Sequence, residues 1–197
     1  MTILRRTLIT TACAFALAGA TLAQAQAIKI AGLYELSGAG ATSGTNFKDG
    51  VALAVKEINA AGGIMGKKIE HSISDTQSNP GVAKGLASKA IDDDVFAVFG
   101  PVFSGSVMVS MNETRRAEIP NFVGGEAASI TKQGNPYVFR TSFTQETAMP
   151  KVARYMANGL KAKNVAVIYV NNDFGKGGRD AITKALTDVG IKVIADI

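Results

Sequence analysis

Small and polar residues follow each apolar run of this chain, and they are the residues best placed to bind a ligand. Five such segments occur, at residues 35–44, 75–78, 100–106, 124–129 and 171–175. They supply hydroxyls and backbone N–H groups, and N–H groups at the start of a helix bind anions. The pattern therefore predicts a site for a small anionic group.

A glycine pattern in the first segment is only loosely similar to a dinucleotide-binding loop. Gly38, Gly40 and Gly44 follow an apolar run and precede a predicted helix. The acidic residue that would hold a ribose, Asp75, lies 35 residues after Gly40, whereas a spacing of about 20 is usual. We interpret these glycines as a flexible loop before a helix, and we expect no cofactor.

Three other patterns do not fit a catalytic site or a metal-binding site. Residues 104–106 (Ser-Gly-Ser) lack the spacing of a nucleophile elbow. His71, the only histidine, falls in a predicted strand and not in a loop that could meet a serine. The acidic run at residues 92–94 has no ligand spacing for calcium and is typical of a solvated helix end. We therefore expect a protein that is not an enzyme.

The composition excludes several other classes of protein. Hydrophobic residues make up 47% and charged residues 19%, close to the average for globular domains. The formal charge of +5 falls to +3 without Arg5 and Arg6, and no run of Lys or Arg stands out. Nucleic acid is therefore not an expected partner.

The amino terminus has the layout of a secretory signal peptide over residues 1–27. Arg5 and Arg6 precede an Ala-rich apolar stretch, and small residues then alternate up to Ala27. The alternatives are a buried amino-terminal helix and, because of the arginine pair, export by the twin-arginine route. Removal of this segment also removes Cys13, the only cysteine, so the mature chain would have no disulfide.

The remaining chain alternates between strand and helix periodicity. We predict strands at residues 28–34, 68–74, 95–99, 121–123, 137–140, 165–170 and 191–195. Helices are predicted between them, with apolar residues at helical spacing over residues 47–58, 80–90, 104–117, 146–160 and 179–189. Strands that alternate with helices form an open, mostly parallel sheet with helices on both faces.

Two runs of these units predict an α/β protein of two lobes. The first lobe covers residues 28–145, with a hinge segment at about 124–145, and residues 146–197 begin the second. A second lobe of so few strands would leave apolar faces exposed. We therefore expect this chain to be a fragment of a longer protein.

Four stretches of the chain resemble the periplasmic leucine/isoleucine/valine-binding protein family. They are residues 28–38 (IKIAGLYELSG), 50–66 (GVALAVKEINAAGGIMG), 75–80 (DTQSNP) and 135–141 (NPYVFRT). The resemblance implies a type I periplasmic binding protein with two doubly wound, Rossmann-like lobes and a hinge, here with an incomplete second lobe. Such proteins capture a small amino acid or related carboxylate between the lobes, in the periplasm, and deliver it to an ABC permease in the inner membrane.

The resemblance also implies roles for residues of the first lobe. Ser104 matches the serine that binds the ligand carboxylate, with Gly105 beside it, and the alternative is that Ser104 only caps its helix. Gly125, Glu126 and Ala127 match a segment that offers a carbonyl and a hydroxyl to an amino acid. Ala127 stands at the hydroxyl position, and the alternative is a shift that brings in Ala128 or Ser129. Because alanine offers no hydroxyl, a related carboxylate, an amide or an aromatic acid is an alternative ligand.

Two further positions complete the set of expected ligand-binding residues. Phe174 matches an aromatic residue of the second lobe that closes over the ligand, and Ser43 falls where some relatives place an aromatic residue. The same fold also serves as a ligand-sensing receptor, which is the alternative to a transport protein.

Overall fold

The first sheet of the molecule is entirely parallel. The computed structural model describes residues 26–197. The strands are β1 (Ile28–Tyr34), β2 (Ile69–Asp75), β3 (Ala97–Phe99), β4 (Asn121–Val123) and β5 (Val138–Arg140). They lie in the order β2-β1-β3-β4-β5, so that β2 and β5 are the edges. All the carboxyl ends therefore lie along one side of the sheet, as the sequence predicts.

Helices cover both faces of this sheet. They are α1 (Ala41–Ala60), α2 (Pro80–Asp92) and α3 (Ser104–Arg116). Side chains alternate along β1, so Leu33 points into a core with Ala87 and Val98 under α2, whereas Tyr34 packs edge-on against Phe47 of α1. The predicted doubly wound architecture is confirmed for this part of the chain.

A second core lies between α3 and the far half of the sheet. Its buried members are Val107, Met111, Val123, Ala127, Ile130 and Val138. Ala127 belongs to the loop after β4, so this predicted ligand-binding loop packs directly on the core. The loop is thereby held in place by apolar burial.

The rest of the described chain forms a smaller unit with its own core. It contains α4 (Gln145–Asn158), β6 (Asn164–Val167), α5 (Asp173–Asp188) and β7 (Lys192–Asp196), and β6 pairs in parallel with β7. Its central buried residues are Ala153, Ala185, Leu186 and Ile191. Across residues 26–197, each helix is too short or too polar to cross a bilayer.

Some element boundaries differ from those that the sequence predicts. The strand predicted at residues 165–170 ends at Val167, and the helix predicted from residue 179 begins at Asp173. Phe96 was expected inside a strand buried on both faces, but it precedes β3 and is 70% exposed. The leader predicted at residues 1–27 lies outside the described residues, apart from its last two.

Candidate ligand-binding site

Asp75 joins the loops that follow β1 and β2. One of its carboxylate oxygens accepts the N–H groups of Leu36 at 2.9 Å, Ser37 at 3.2 Å and Gln77 at 2.8 Å. The other accepts the Ser37 hydroxyl at 2.6 Å. The bond from the Ser37 hydroxyl and those from the backbone lower the pKa of Asp75. The carboxylate therefore stays ionised and fixes this end of the sheet.

Ser104 is the buried hydroxyl at the start of α3. It is 1% exposed, and its Oγ accepts the N–H of Ala127 at 3.2 Å. A hydroxyl also has one proton to donate, and among the described residues no acceptor is bonded to it. The first N–H groups of the helix also lack intrahelical partners. Together these donors suit a carboxylate oxygen.

The helix-cap alternative for Ser104 is wrong. Phe103 is the N-cap residue of α3, and no side chain caps that position. The Ser104 hydroxyl instead bonds across to the loop after β4. It therefore connects two segments that sequence reasoning placed in the site.

Gly125 allows that loop to approach α3 closely. A Cβ at this position would lie 2.6 Å from Ile130 Cδ1 and 3.3 Å from the Cα of Ser104. A side chain at this position would force the end of the Ile130 side chain to move, so glycine suits the close packing of this loop. Ser104, Gly125 and Ala127 thus lie close together, with Gly105 and Glu126 adjacent to them in the chain, and their part in ligand binding stays a prediction.

Arg140 and Gln145 engage the three carbonyls of residues 125–127. The Arg140 guanidinium donates to the carbonyl of Gly125 and, at 2.9 Å, to that of Ala127. The Gln145 N–H donates to the carbonyl of Glu126 at 3.2 Å. Burial raises the pKa of the Glu126 carboxyl, and the nearby Arg140 charge opposes that shift. Each carbonyl thus already has a donor in this conformation.

The smaller unit reaches this site through its helix α5. The Gln145 side-chain amide donates to the carbonyl of Phe174 at 2.7 Å. Asp173 lies nearby, because a Cβ on Gly105 would be 3.5 Å from its Oδ2. Phe174 is 43% exposed. The start of α5 therefore lies beside Gly105, whereas the bond between Gln145 and Phe174 joins α4 to α5 within the smaller unit.

Ser43 is not joined to this cluster by any described hydrogen bond. It lies exposed in the first turn of α1. An open cavity of about 710 Å³ lies elsewhere, beside Lys29, His71 and the acidic run at residues 92–94. His71 is on the edge strand β2 and pairs with the Tyr34 hydroxyl at 3.0 Å. Within residues 26–197, no three His, Cys, Asp or Glu side chains are grouped to hold a metal.

Comparison with known proteins decides the family. The profile described as "Periplasmic binding protein" matches residues 27–197. The chain belongs to the periplasmic binding protein family. The members it matches are substrate-binding proteins and not enzymes. The resemblance seen in the sequence is therefore confirmed.

A curated relative of this periplasmic binding protein is a Leu/Ile/Val-binding protein from Rhizobium johnstonii. The two are 32% identical over 181 residues, which are 91% of this chain and 49% of the relative. The chain thus spans about half the length of the curated relatives it matches.

Solved structures share the fold and bind two kinds of ligand. LivJ of Streptococcus pneumoniae, solved with isoleucine, has a TM-score of 0.80 and 31% identity, over 87% of this chain and 49% of LivJ. A solute-binding protein of R. palustris, solved with benzoate, has a TM-score of 0.79 and 26% identity, over 87% of this chain and 48% of that protein. The fold class is confirmed.

Three polar residues at the site were missed by sequence reasoning, two of them buried and the third, Arg140, half-buried. They are Glu35, Arg140 and Gln145. Glu35 follows β1 directly and is fully buried, which no local pattern indicates. The only signal was its place in a segment after a strand, and that rule selects segments and not individual side chains.

Proposed function

We propose that the complete protein is the substrate-binding component of an ABC importer and captures a small carboxylate between two lobes. The observation that carries this proposal is the buried Ser104 hydroxyl. Its lone pair is engaged by Ala127 N–H, so its proton is left for a ligand. A charged acceptor would gain more from this donor than a neutral one.

The first candidate ligand is a branched-chain amino acid. Its carboxylate would bind Ser104 and the first N–H groups of α3, near Gly105. Family membership and the isoleucine bound to LivJ support this class of ligand. Its ammonium group would need acceptors. The carbonyls of Gly125 and Glu126, which each accept one hydrogen bond, are candidates, whereas the carbonyl of Ala127 already accepts from both Arg140 and Ile130.

The second candidate is an aromatic acid, which has no ammonium group. Two observations favour it, namely the absence of a hydroxyl at Ala127 and the donors already bound by the carbonyls of residues 125–127. The benzoate-binding relative shows that this fold holds such a ligand. Phe174 would then stack against the aromatic ring.

The second lobe would close over either ligand by a hinge motion. Residues 28–145 form the first lobe in this proposal, with the hinge at about 124–145, and residues from 146 onward begin the second. Closure would bring Phe174 over the bound molecule, and the closed form would dock on the permease in the inner membrane. Secretion to the periplasm would depend on a signal peptide at residues 1–27.

A thermal-shift screen of the full-length mature protein tests this function. The panel contains L-leucine, L-isoleucine, benzoate and 4-hydroxybenzoate. A ligand that binds only the folded state, at one hundred times its Kd, stabilises it by about 2.7 kcal/mol. We expect a raised Tm with at least one acid. A Tm that no acid changes would contradict the proposal, and the acid that raises it most distinguishes the two candidates.

A further inference from the structure

Glu35 is a buried carboxylate that the candidate ligand contacts do not include. It follows the last residue of β1 and is 0% exposed. A buried charge is costly unless hydrogen bonds replace its water. Its partners therefore indicate what it does.

The Glu35 carboxylate holds the backbone immediately before Ser104. Its Oε2 accepts the N–H of Val102 at 3.0 Å, and its Oε1 accepts the N–H of Phe103 at 3.1 Å. Phe103 is the N-cap of α3 and has no side-chain cap of its own. A negative charge near the start of a helix is also favourable to the helix dipole. Glu35 thus supplies from β1 the anchor that α3 lacks locally.

Two glycines make room for this anchor, Gly40 just before α1 and Gly44 in its first turn. A Cβ on Gly40 would lie 2.8 Å from the Cβ of Glu35 and 2.9 Å from the ring of Phe103. A Cβ on Gly44 would lie 2.1 Å from the Glu35 carbonyl oxygen. Close packing around Glu35 therefore explains Gly40 and Gly44 of the pattern that loosely resembles a nucleotide loop, whereas Gly38 has a positive φ of 75° and packs near Ser78.

We propose that Glu35 is a positioning residue for the ligand site. It fixes the start of α3, so that the Ser104 hydroxyl and the first N–H groups of the helix face one bound carboxylate. The Glu35 carboxylate accepts the N–H groups of Val102 and Phe103, so the N–H groups from Ser104 onward remain available to the ligand. That Glu35 aids ligand binding rests on the proposed function, whereas that Glu35 fixes the start of α3 and the position of Ser104 does not.

Amide hydrogen exchange on the full-length protein tests the geometric part. The Ala127 N–H reports the position of Ser104, because it bonds to the Ser104 hydroxyl. In Glu35→Gln, the side-chain N–H₂ replaces one of the two accepting oxygens. Either the N–H of Val102 or that of Phe103 then faces another donor and loses its hydrogen bond, so we expect the loop to move. We expect exchange at Val102, Phe103 and Ala127 to accelerate by about ten-fold or more, the effect of losing one such bond.

Val98 separates positioning from general destabilisation. Its N–H bonds to the carbonyl of Pro120 inside the sheet, away from Glu35. Unchanged exchange at Val98 with faster exchange at Ala127 is the expected result. Unchanged exchange at Ala127, or equal acceleration at both sites, would overturn the proposal. If Glu35→Gln does not fold, Glu35→Asp keeps the charge, shortens the reach, and is judged by the same two amides.

Ligand affinity tests the second part of the inference. Calorimetry compares Glu35→Gln with Glu70→Gln, a control that removes the same charge from an exposed position on β2. With L-isoleucine or benzoate, we expect binding about ten-fold weaker in Glu35→Gln than in the control. Equal or tighter binding would overturn the positioning role while the proposed function stands. A wild type that binds neither acid would contradict the proposed function, and the exchange experiment would still decide the role of Glu35.

Discussion

Ser104 and Ser106 lie on the same helix and are both buried, yet only one of them has a partner. Ser104 is bonded to Ala127, whereas the Ser106 hydroxyl has none among the described residues. Substitution of each by alanine makes the same chemical change in the same helix. Comparing the two variants therefore separates the loss of a ligand-binding hydroxyl from the loss of a buried hydroxyl with no role in binding.

We expect Ser104→Ala to weaken carboxylate binding by roughly 10- to 100-fold, because a hydrogen bond to a charged group contributes about 1.5–3 kcal/mol. Ser106→Ala should bind as the wild type does and unfold at the same or a slightly higher temperature. Calorimetry and thermal unfolding of the full-length protein measure both effects. Loss of binding in Ser106→Ala but not in Ser104→Ala would show that the ligand contacts Ser106, and would contradict the assignment of Ser104.

Asp75 should make stability depend on pH in the acid range. Its folded-state pKa is lowered from the ordinary value of 3.8, chiefly by the Ser37 hydroxyl. As the pH falls, Asp75 therefore becomes protonated in the unfolded state before it does so in the folded state. The stability that the ionised Asp75 contributes is present above pH 3.8. That contribution is lost as the pH falls through the folded-state pKa.

The measurement is the unfolding free energy of wild type and Asp75→Asn as a function of pH. The difference between them should be largest above pH 3.8 and should shrink below it. Asp92→Asn, an exposed aspartate at the end of α2, is the control. A difference that does not vary with pH would show that Asp75 acts by packing alone.

Sequence reasoning located the segments of the site and missed its internal anchors. Ser104 was named because its position matches the serine of the resembling family, and it lies in a segment that follows a strand. Glu35 and Gln145 were missed because their roles depend on partners far along the chain, at Val102 and Phe174. Their burial is a property of the assembled loops and not of any local period.

At the scale of elements, α5 shows how packing overrides helix propensity. Its first turns contain Gly175, Gly177 and Gly178, which in the sequence favour a loop. In the structure, Asn172 caps the helix by accepting the N–H of Gly175 at 2.9 Å. A Cβ on Gly175 would lie 1.9 Å from the Val170 carbonyl oxygen, so the close approach requires glycine.

Gly177 should be intolerant of a side chain for a similar reason. A Cβ there would lie 2.8 Å from the Gln145 Oε1, and Gln145 is buried and bonded to the Phe174 carbonyl. Displacing that amide would disturb the link between α4 and α5. We expect Gly177→Ala to destabilise the protein by about 1–2 kcal/mol, the usual effect of overpacking.

Gly85→Ala is the matched control for this substitution. Gly85 lies in the middle of α2, and a Cβ there meets nothing within 4 Å. Because alanine is the better helix former, this control should stabilise the protein by about 0.5–1 kcal/mol. Denaturant unfolding compares the two, and equal effects would show that the contact with Gln145 is unimportant.

At the scale of the whole molecule, one face of the first sheet carries a row of aromatic rings. Phe99, Phe122 and Phe139 are in register, and neighbouring rings stack at 5.1 and 5.2 Å between centroids. They share a face with Gly32 of β1, where α1 packs, but Phe139 remains 46% exposed. Exposed apolar patches of this kind favour association.

We therefore expect the protein consisting of residues 28–197 to self-associate in solution. Phe139→Lys should shift it toward monomer, because the charge interrupts the aromatic row. Met65→Lys is the control, since Met65 is 95% exposed and lies in the turn between α1 and β2. Sedimentation velocity measures the species present. Equal association of the two variants would show that another surface is responsible.

The most direct test of carboxylate capture is calorimetry of the full-length protein with an acid and its matched amide. The pairs are L-leucine with L-leucinamide and benzoate with benzamide, which differ in the charge that the Ser104 hydroxyl and the start of α3 would bind. We expect at least one acid to bind about ten-fold or more tightly than its amide, the effect expected for one charge-assisted hydrogen bond. Equal affinity for acid and amide, or binding of neither, would contradict the account.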